Sequence, residues 1–179
     1  MPPRLRKDIL KTAAIFIVSY FVCLAIWLYV KEIYGTVLLH IISNIVGFLA
    51  NAAYVDVYRE QDMFTVVFGS LKMRERAVPM SINSFTYNVP VALAITAALL
   101  PFIKRKMRAL FESLSFLVVL HIFYVLMLET LSFTMGNNIL HAVNEYFFLF
   151  THKIMTRSEP FIIGLYLFAV RIVKQGHIP

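Results

Sequence analysis

The sequence predicts an all-α polytopic membrane protein: about four transmembrane helices carrying a small extracytoplasmic cap of helix plus β-hairpin. Three observations lead there. Hydrophobic residues make up 60% of the 179-residue chain and charged residues 15%, with a mean hydropathy of +0.75. A soluble domain is typically about 45–50% apolar and about 25% charged. The apolar residues also gather into runs too long and too numerous for the soluble core of one domain of this length. Finally, residues 104–108, Lys-Arg-Lys-Met-Arg, separate an apolar run ending at Ile103 from another beginning at Ala109. A short basic break between two such runs reads as a cytoplasmic turn, because Lys and Arg are retained on that side.

The first span covers about 9–30 (ILKTAAIFIVSYFVCLAIWLYV), preceded by Arg4, Arg6 and Lys7. A basic start followed by an apolar run also fits a signal peptide. This run is long and aromatic, however, and ends at Trp27, Tyr29 and Lys31 without a small-residue cleavage site. It is therefore expected to stay as a helix with the N-terminus inside. Residues 36–53 (TVLLHIISNIVGFLANAA) are apolar but carry His40, Asn44 and Asn51. The expectation is an amphipathic or half-buried helix along the outer interface. A fifth crossing there would turn the 104–108 loop outward, against the retention rule, and is set aside.

Next comes the least membrane-like part of the chain. Tyr54 to Tyr58 alternates in polarity, Arg59-Glu60-Gln61-Asp62 is a polar break, and Met63 to Gly69 is rich in β-branched and aromatic residues. That pattern predicts a hairpin, without the Asn-Gly or Asp-Gly turn that marks the strongest ones. A charged segment, Lys72 to Arg76, then leads through Pro79 and a polar approach, Ser81 to Ser84, into the second span at about 87–103. The third span covers about 109–133 and the fourth about 160–173. Crossing ~30 Å of hydrocarbon takes ~20 helical residues, so the fourth needs Ile154-Met155 or the tail to complete it. The outer cap is thus expected over 36–83 and 135–158, the latter holding Gly136-Asn137-Asn138 and an amphipathic helix.

Charge placement agrees with this layout. The inner side collects Arg4, Arg6, Lys7, Lys11, the 104–108 cluster, Arg171 and Lys174, while the basic residues outside are matched by acids. Both termini fall inside, at a bacterial or archaeal cytoplasmic (inner) membrane. The net charge of +7 flanks apolar spans rather than forming a basic-aromatic surface, so lipid headgroups are its expected partners and nucleic acid is not.

Candidate chemistry is sparse. Cys23, the single cysteine, sits mid-span, where low dielectric works against a thiolate, so it reads as a packed apolar residue. His121 lies within the third span, and an ionisable group there is a functional candidate by default. Glu129, Tyr124 and Ser115 are its possible partners, and a neutral imidazole bonded to a neighbouring helix is the plainer reading. Glu129 would cost roughly 3 kcal/mol if charged in hydrocarbon; near the outer end of the span, water or Arg157 could reach it. Glu112 is expected to pair with Arg108 one turn earlier. His141 and Glu145, at i and i+4, share a helix face, but two ligands do not make a metal site. Asn88 precedes Val89-Pro90. It marks either a polar mouth to the second span or a plain helix start with proline in its first turn. No cofactor or metal is expected.

The run Phe85-Thr86-Tyr87-Asn88-Val89-Pro90-Val91-Ala92-Leu93-Ala94 leads to an apolar stretch, a basic turn and another apolar span. Over about residues 80–130 this resembles the small membrane proteins associated with exosortases, and the corresponding part of exosortases and archaeosortases. Exosortase-like transpeptidases use a cysteine at the outer end of a span, with arginine and a further polar residue on later spans. Here the corresponding stretch has Tyr87-Asn88, and the third span carries His121 instead of arginine. The resemblance therefore implies a non-catalytic companion in the sorting or processing of surface proteins.

Three classes of function follow. An accessory or scaffolding subunit of a membrane complex, in contact with other membrane subunits or with copies of itself, fits the missing nucleophile and the outer cap. A membrane-embedded enzyme would need Asn88, His141, Glu145 and Arg157 in one outward-facing site. A subunit of an oligomeric transporter or channel would have to build its path from His121 and Glu129. The first is the expected reading, and it leans against an enzyme.

Overall fold

The computed structural model describes residues 3–61, 63–69, 75–134 and 138–172. It is mostly helical, with one small antiparallel sheet. In order, α1 is Pro3–Leu49, β1 Tyr54–Glu60, β2 Met63–Gly69, β3 Arg76–Ser81, α2 Asn83–Thr86 and α3 Val89–Leu99. A 3₁₀ turn at Leu100–Phe102 follows, then α4 at Lys106–Thr134 and α5 at Asn138–Phe150. A π turn at Thr151–Met155 leads to α6 at Thr156–Tyr166, and a second π turn covers Leu167–Ile172. Among the described residues three helices are long and apolar enough to cross a membrane: Asp8–Leu49, Asn83–Phe102 and Lys106–Thr134. Of the fourth stretch, at 160–173, residues 160–172 fall in α6 and the π turn after it, outside those three, and residue 173 lies outside the described residues.

The chain divides into two compact units. One gathers the residues through Tyr29, Asn88–Val118 and the chain from Arg157. The other gathers Val30–Tyr87 and Val119–Thr156. Small side chains organise the first: Ala92, Ala94, Thr96 and Ala98 of α3 are buried, and Ala92 clusters with Ile103, Ala109, Leu117, Ile163 and Leu167. Small residues let helix backbones approach closely where there is no hydrophobic drive between helices. At its edge Arg108 pairs with Glu112 at 2.9 Å, as the i, i+4 spacing predicts, and the Tyr166 hydroxyl donates to the other Glu112 oxygen at 2.9 Å.

Several helical hydroxyls are folded back on the helix that carries them. Thr12, Thr36, Thr96, Ser113, Thr130 and Thr151 each donate to the carbonyl four residues earlier, at 2.8–2.9 Å. The Asn44 amide does the same to His40 O at 2.7 Å, and His40 Nδ1 lies 2.9 Å from Thr36 O. A polar side chain so bonded presents mainly carbon to its surroundings.

The second unit corrects the expectation of a separate interfacial helix at 36–53. That stretch continues α1 without a break to Leu49. Between Val30 and Leu49 there is no proline, and the two glycines, Gly35 and Gly47, each cost only about 1 kcal/mol of helix propensity. The helix ends where a left-handed residue becomes affordable. Asn51 has φ 53°, its N–H bonds Phe48 O at 3.2 Å and the Ala52 N–H bonds Gly47 O at 2.8 Å. This is a Schellman termination with asparagine in place of the usual glycine.

The hairpin expected from residues 54–69 is present, Tyr54 facing Gly69 and Glu60 facing Met63, with Gln61 at φ 54° in the turn. A third strand, β3, was not legible: its charged start and Pro79 hide it. Proline is tolerated because β3 is an edge strand, Pro79 pairing with Thr65. One sheet face is apolar and packed, with Phe64, Val66, Phe68, Val78 and Met80 buried, while Asp56, Tyr58 and Pro79 stand exposed on the other. The packed face meets Leu38, Leu39, Ile42 and Val46 of α1. The two α1 glycines permit this: a Cβ on Gly47 would overlap Val55, and one on Gly35 would overlap Ile82.

Two outcomes follow. Gly47→Val should lower thermal stability in detergent by about 1–3 kcal/mol, the usual cost of overpacking, and adding Val55→Ala should restore part of it; a single variant as stable as the parent would refute the close approach. The second concerns Tyr54, whose hydroxyl donates to the Glu75 carboxylate. That bond, with the negative charge beside it, holds the phenol above its ordinary value of 10.0. The folded state therefore keeps its proton longer than the unfolded one, so this contribution is whole below pH 10.0 and is lost as pH rises through the folded value. Glu75→Gln should flatten the alkaline loss of stability, and a curve as steep as the parent's would exclude the pair as its source.

Candidate functional site

In the second unit the buried polar residues Ser43, His121 and Glu129 lie between α1 and α4. His121, 2% exposed, lies with its Nδ1 2.7 Å from the Tyr34 hydroxyl, and the rings of Tyr34 and Phe85 meet it edge-on. Tyr124 continues the cluster, 5.4 Å from Phe85 and 5.6 Å from both Phe148 and His152 between centroids. His152 in turn stacks on Phe148 at 5.8 Å. Nine residues beyond Tyr34, Ser43 Oγ donates to Glu129 Oε1 at 2.6 Å, and Glu129 is fully buried. Its second oxygen, Oε2, meets no donor among the described residues.

Helix periodicity explains the arrangement. Tyr34 and Ser43 flank the same α1 face as Gly35, Leu38, Leu39, Ile42 and Val46, and His121, Val125 and Glu129 repeat every four residues on α4. The polar pairs thus sit in line with apolar ones. The sequence offered Glu129, Tyr124 and Ser115 as partners for His121; the hydrogen bond comes from Tyr34, 87 positions away. Glu129, expected within reach of water or Arg157, is closed off by Ser43 instead, because its face of α4 is the one α1 covers.

The other expected residues are spread out. His141 is half-buried with Nδ1 3.3 Å from Thr134 Oγ1, while Glu145, one turn on, is exposed. Asn88 and Arg157 belong to the first unit. Asn88 caps α3 with its carbonyl, which accepts from Ala92 N at 2.9 Å, and Pro90 follows in the first turn; this is the plain helix start. Arg157 is exposed. Among the described residues no three of His, Cys, Asp and Glu are placed to hold a metal ion.

Around the cluster, charged side chains are held by bonds between elements. Arg76 of β3 donates to Ser132 O in the last turn of α4, where carbonyls lack helical partners, and its guanidinium lies 5.1 Å from the Phe133 ring centroid. Arg59 pairs with Glu32 at 2.7 Å, and Lys31 Nζ donates to Asn83 Oδ1 at 3.2 Å. Between α4 and α5 runs a groove of about 440 Å³, lined by Phe123, Met127, Leu140, Val143 and Phe147 with Thr130, Thr134 and Asn144. Its polar residues are engaged locally: Asn144 donates to Thr130 Oγ1 at 3.2 Å, and Thr134 to Leu131 O at 3.0 Å. No titratable side chain lines it.

Comparison with known proteins finds no matching family model, no matching curated protein and no matching solved structure.

The Tyr34–His121 bond is the contact to remove. Tyr34→Phe keeps the ring and deletes the hydroxyl. It should cost about 1–3 kcal/mol in detergent unfolding, the range for stripping a partner from a buried polar group; unchanged stability would mean the pair contributes nothing.

Proposed function

We propose that this chain is an integral membrane protein of four crossings that serves as a non-catalytic accessory or scaffolding subunit of a membrane complex. Following the exosortase resemblance, its setting is the sorting or processing of surface proteins at a bacterial or archaeal cytoplasmic membrane. The crossings are about 9–30, 87–103, 109–133 and 160–173, with both termini on the cytoplasmic side and the sheet outside.

One observation carries the non-catalytic part. The ionisable residues best placed for chemistry are engaged in closing the fold: His121 with Tyr34, Glu129 with Ser43 and His141 with Thr134. The large groove offers an incoming substrate carbon and locally bonded polar groups, without an acid or base.

Helix length and the sheet support the membrane part. The apolar stretch of α1, Asp8–Leu49, is 42 residues, or ~63 Å at 1.5 Å per residue, about twice the ~30 Å of hydrocarbon. Only part of it can be immersed. The sheet flanks the part from Glu32, bonded to Arg59, to Gly47, packed on Val55. Its open edges and its exposed Asp56, Arg59 and Glu60 are excluded from lipid. The part of α1 before Lys31 is therefore the one fully immersed, and His121 and Glu129, bonded to its later half, lie toward the outer end of the third crossing.

Affinity purification of the tagged full-length chain from native membranes in a mild detergent tests the reading. A second membrane protein should be retained in stoichiometric amount. Recovery of the chain alone, or with only further copies of itself, would overturn the accessory role.

A further inference from the structure

We infer that Glu129 is a proton-binding site, and that the proton it holds latches α4 to α1. The inference goes beyond the accessory reading and does not depend on it. Glu129 is fully buried on the face of α4 that also carries His121 and Val125. Ser43 Oγ donates to its Oε1 at 2.6 Å, and Oε2 meets no hydrogen-bond partner among the described residues. One neutral hydroxyl is the only polar contact that the carboxyl makes there.

That geometry separates the two protonation states. A carboxylate is acceptor-only, with two oxygens that each call for donors. An ionised Glu129 would have a single donor and no cation, and burying an isolated charge costs far more than burying a neutral group. The neutral acid needs less. Its carbonyl oxygen accepts from Ser43, and only the hydrogen bond of its own O–H is left unmade. The closed α1–α4 contact selects the acid.

Charged and titratable groups on the surrounding elements are engaged elsewhere. On α1, Tyr34 bonds His121, Glu32 pairs with Arg59 of the sheet, and Lys31 donates to Asn83. Arg76, the other cation on the packed side of the sheet, donates to the carbonyl of Ser132. His141 of α5 lies against Thr134, Glu145 is exposed, and His152 stacks on Phe148. None of them supplies Glu129 with a counter-charge.

Losing the proton therefore undoes the contact. An ionised Glu129 needs water, and the α1–α4 contact excludes water. Ser43 sits beside Leu39, Ile42 and Val46, the side chains that seat the sheet, so parting α1 from α4 at this point loosens the packing of the second unit. Closing takes up one proton per chain, and opening releases it to solvent. The joint is tight in acid and slackens as the surroundings turn alkaline.

Thermal unfolding of the purified full-length chain in detergent, from about pH 5 to about pH 9, tests the latch. The comparison is Glu129→Gln, which keeps the shape of the neutral acid and has no proton to lose. Over this range the unfolded chain ionises while the closed one holds its proton, so stability falls as pH rises. The parent midpoint should drop by about 5 °C or more, and that of Glu129→Gln by less than half as much. The Tyr54 contribution is still whole below pH 10.0 and does not enter. Equal slopes would overturn the latch. Infrared spectroscopy of the parent gives a second measurement, should Glu129→Gln fail to fold. At neutral pH the parent should show the C=O stretch of a carboxylic acid, and Ser43→Ala should move that band to higher frequency by removing its hydrogen bond. No acid band, or one that Ser43→Ala leaves in place, would overturn the proton site. A band that titrates away without any fall in the midpoint would leave the site standing and overturn the latch.

Discussion

Backbone N–H and C=O groups have to be paired wherever water is excluded, and each part of this chain meets that demand differently. In the long helices the pairing is internal, and several side-chain hydroxyls are also turned onto the helix's own carbonyls. In the sheet it is between strands, which leaves open edges that only water or protein can satisfy. Packed beside the sheet are the Val30–Leu49 stretch of α1, the Arg59–Glu32 pair and the Schellman turn at Asn51.

That constraint also explains why the second unit is built around glycine and aromatic contacts. A sheet has to seat flat on a helix that never breaks, so the helix gives way at Gly35 and Gly47. The far side of the packing is closed by rings, Phe85, Tyr124, Phe148 and Phe133, with Arg76 capping the carbonyls at the end of α4. Inside this frame His121 and Glu129 each find a hydroxyl from α1. Burying such groups is tolerable only with a partner in place, and the partners sit where α1's helical repeat brings Tyr34 and Ser43 onto the buried face.

Much of the architecture was legible in composition and spacing. The apolar runs around 104–108, the Arg108–Glu112 pair and the 54–69 hairpin all rest on patterns within a few residues, and local patterns are what a sequence displays. The unbroken run of α1 past Lys31 was not: His40 and Asn44 look like surface residues until their bonds to Thr36 O and His40 O are known. Nor was β3, whose proline and charged start argue against a strand unless its edge position is known. Tyr34 and Ser43 were invisible as partners because nothing in a single sequence links positions more than eighty residues apart. His141 and Glu145 show the converse. Their shared helix face is real in spacing, yet one turns toward Thr134 and the other toward solvent.

The separation between Ser43 and Glu129 has a consequence for biosynthesis. The two lie 86 positions apart, so at about 5–20 residues per second a ribosome takes roughly 4–17 s to deliver the second after the first. For part of that interval the sheet and the apolar face of α1 already exist, while the segment of α4 that seals them does not. Arg76 precedes Ser132 by 56 positions and waits roughly 3–11 s for its carbonyl. The nascent chain thus carries an unfinished, sticky intermediate for seconds. Its escape from aggregation depends on how fast the last helices are delivered, more than on the stability of the finished fold.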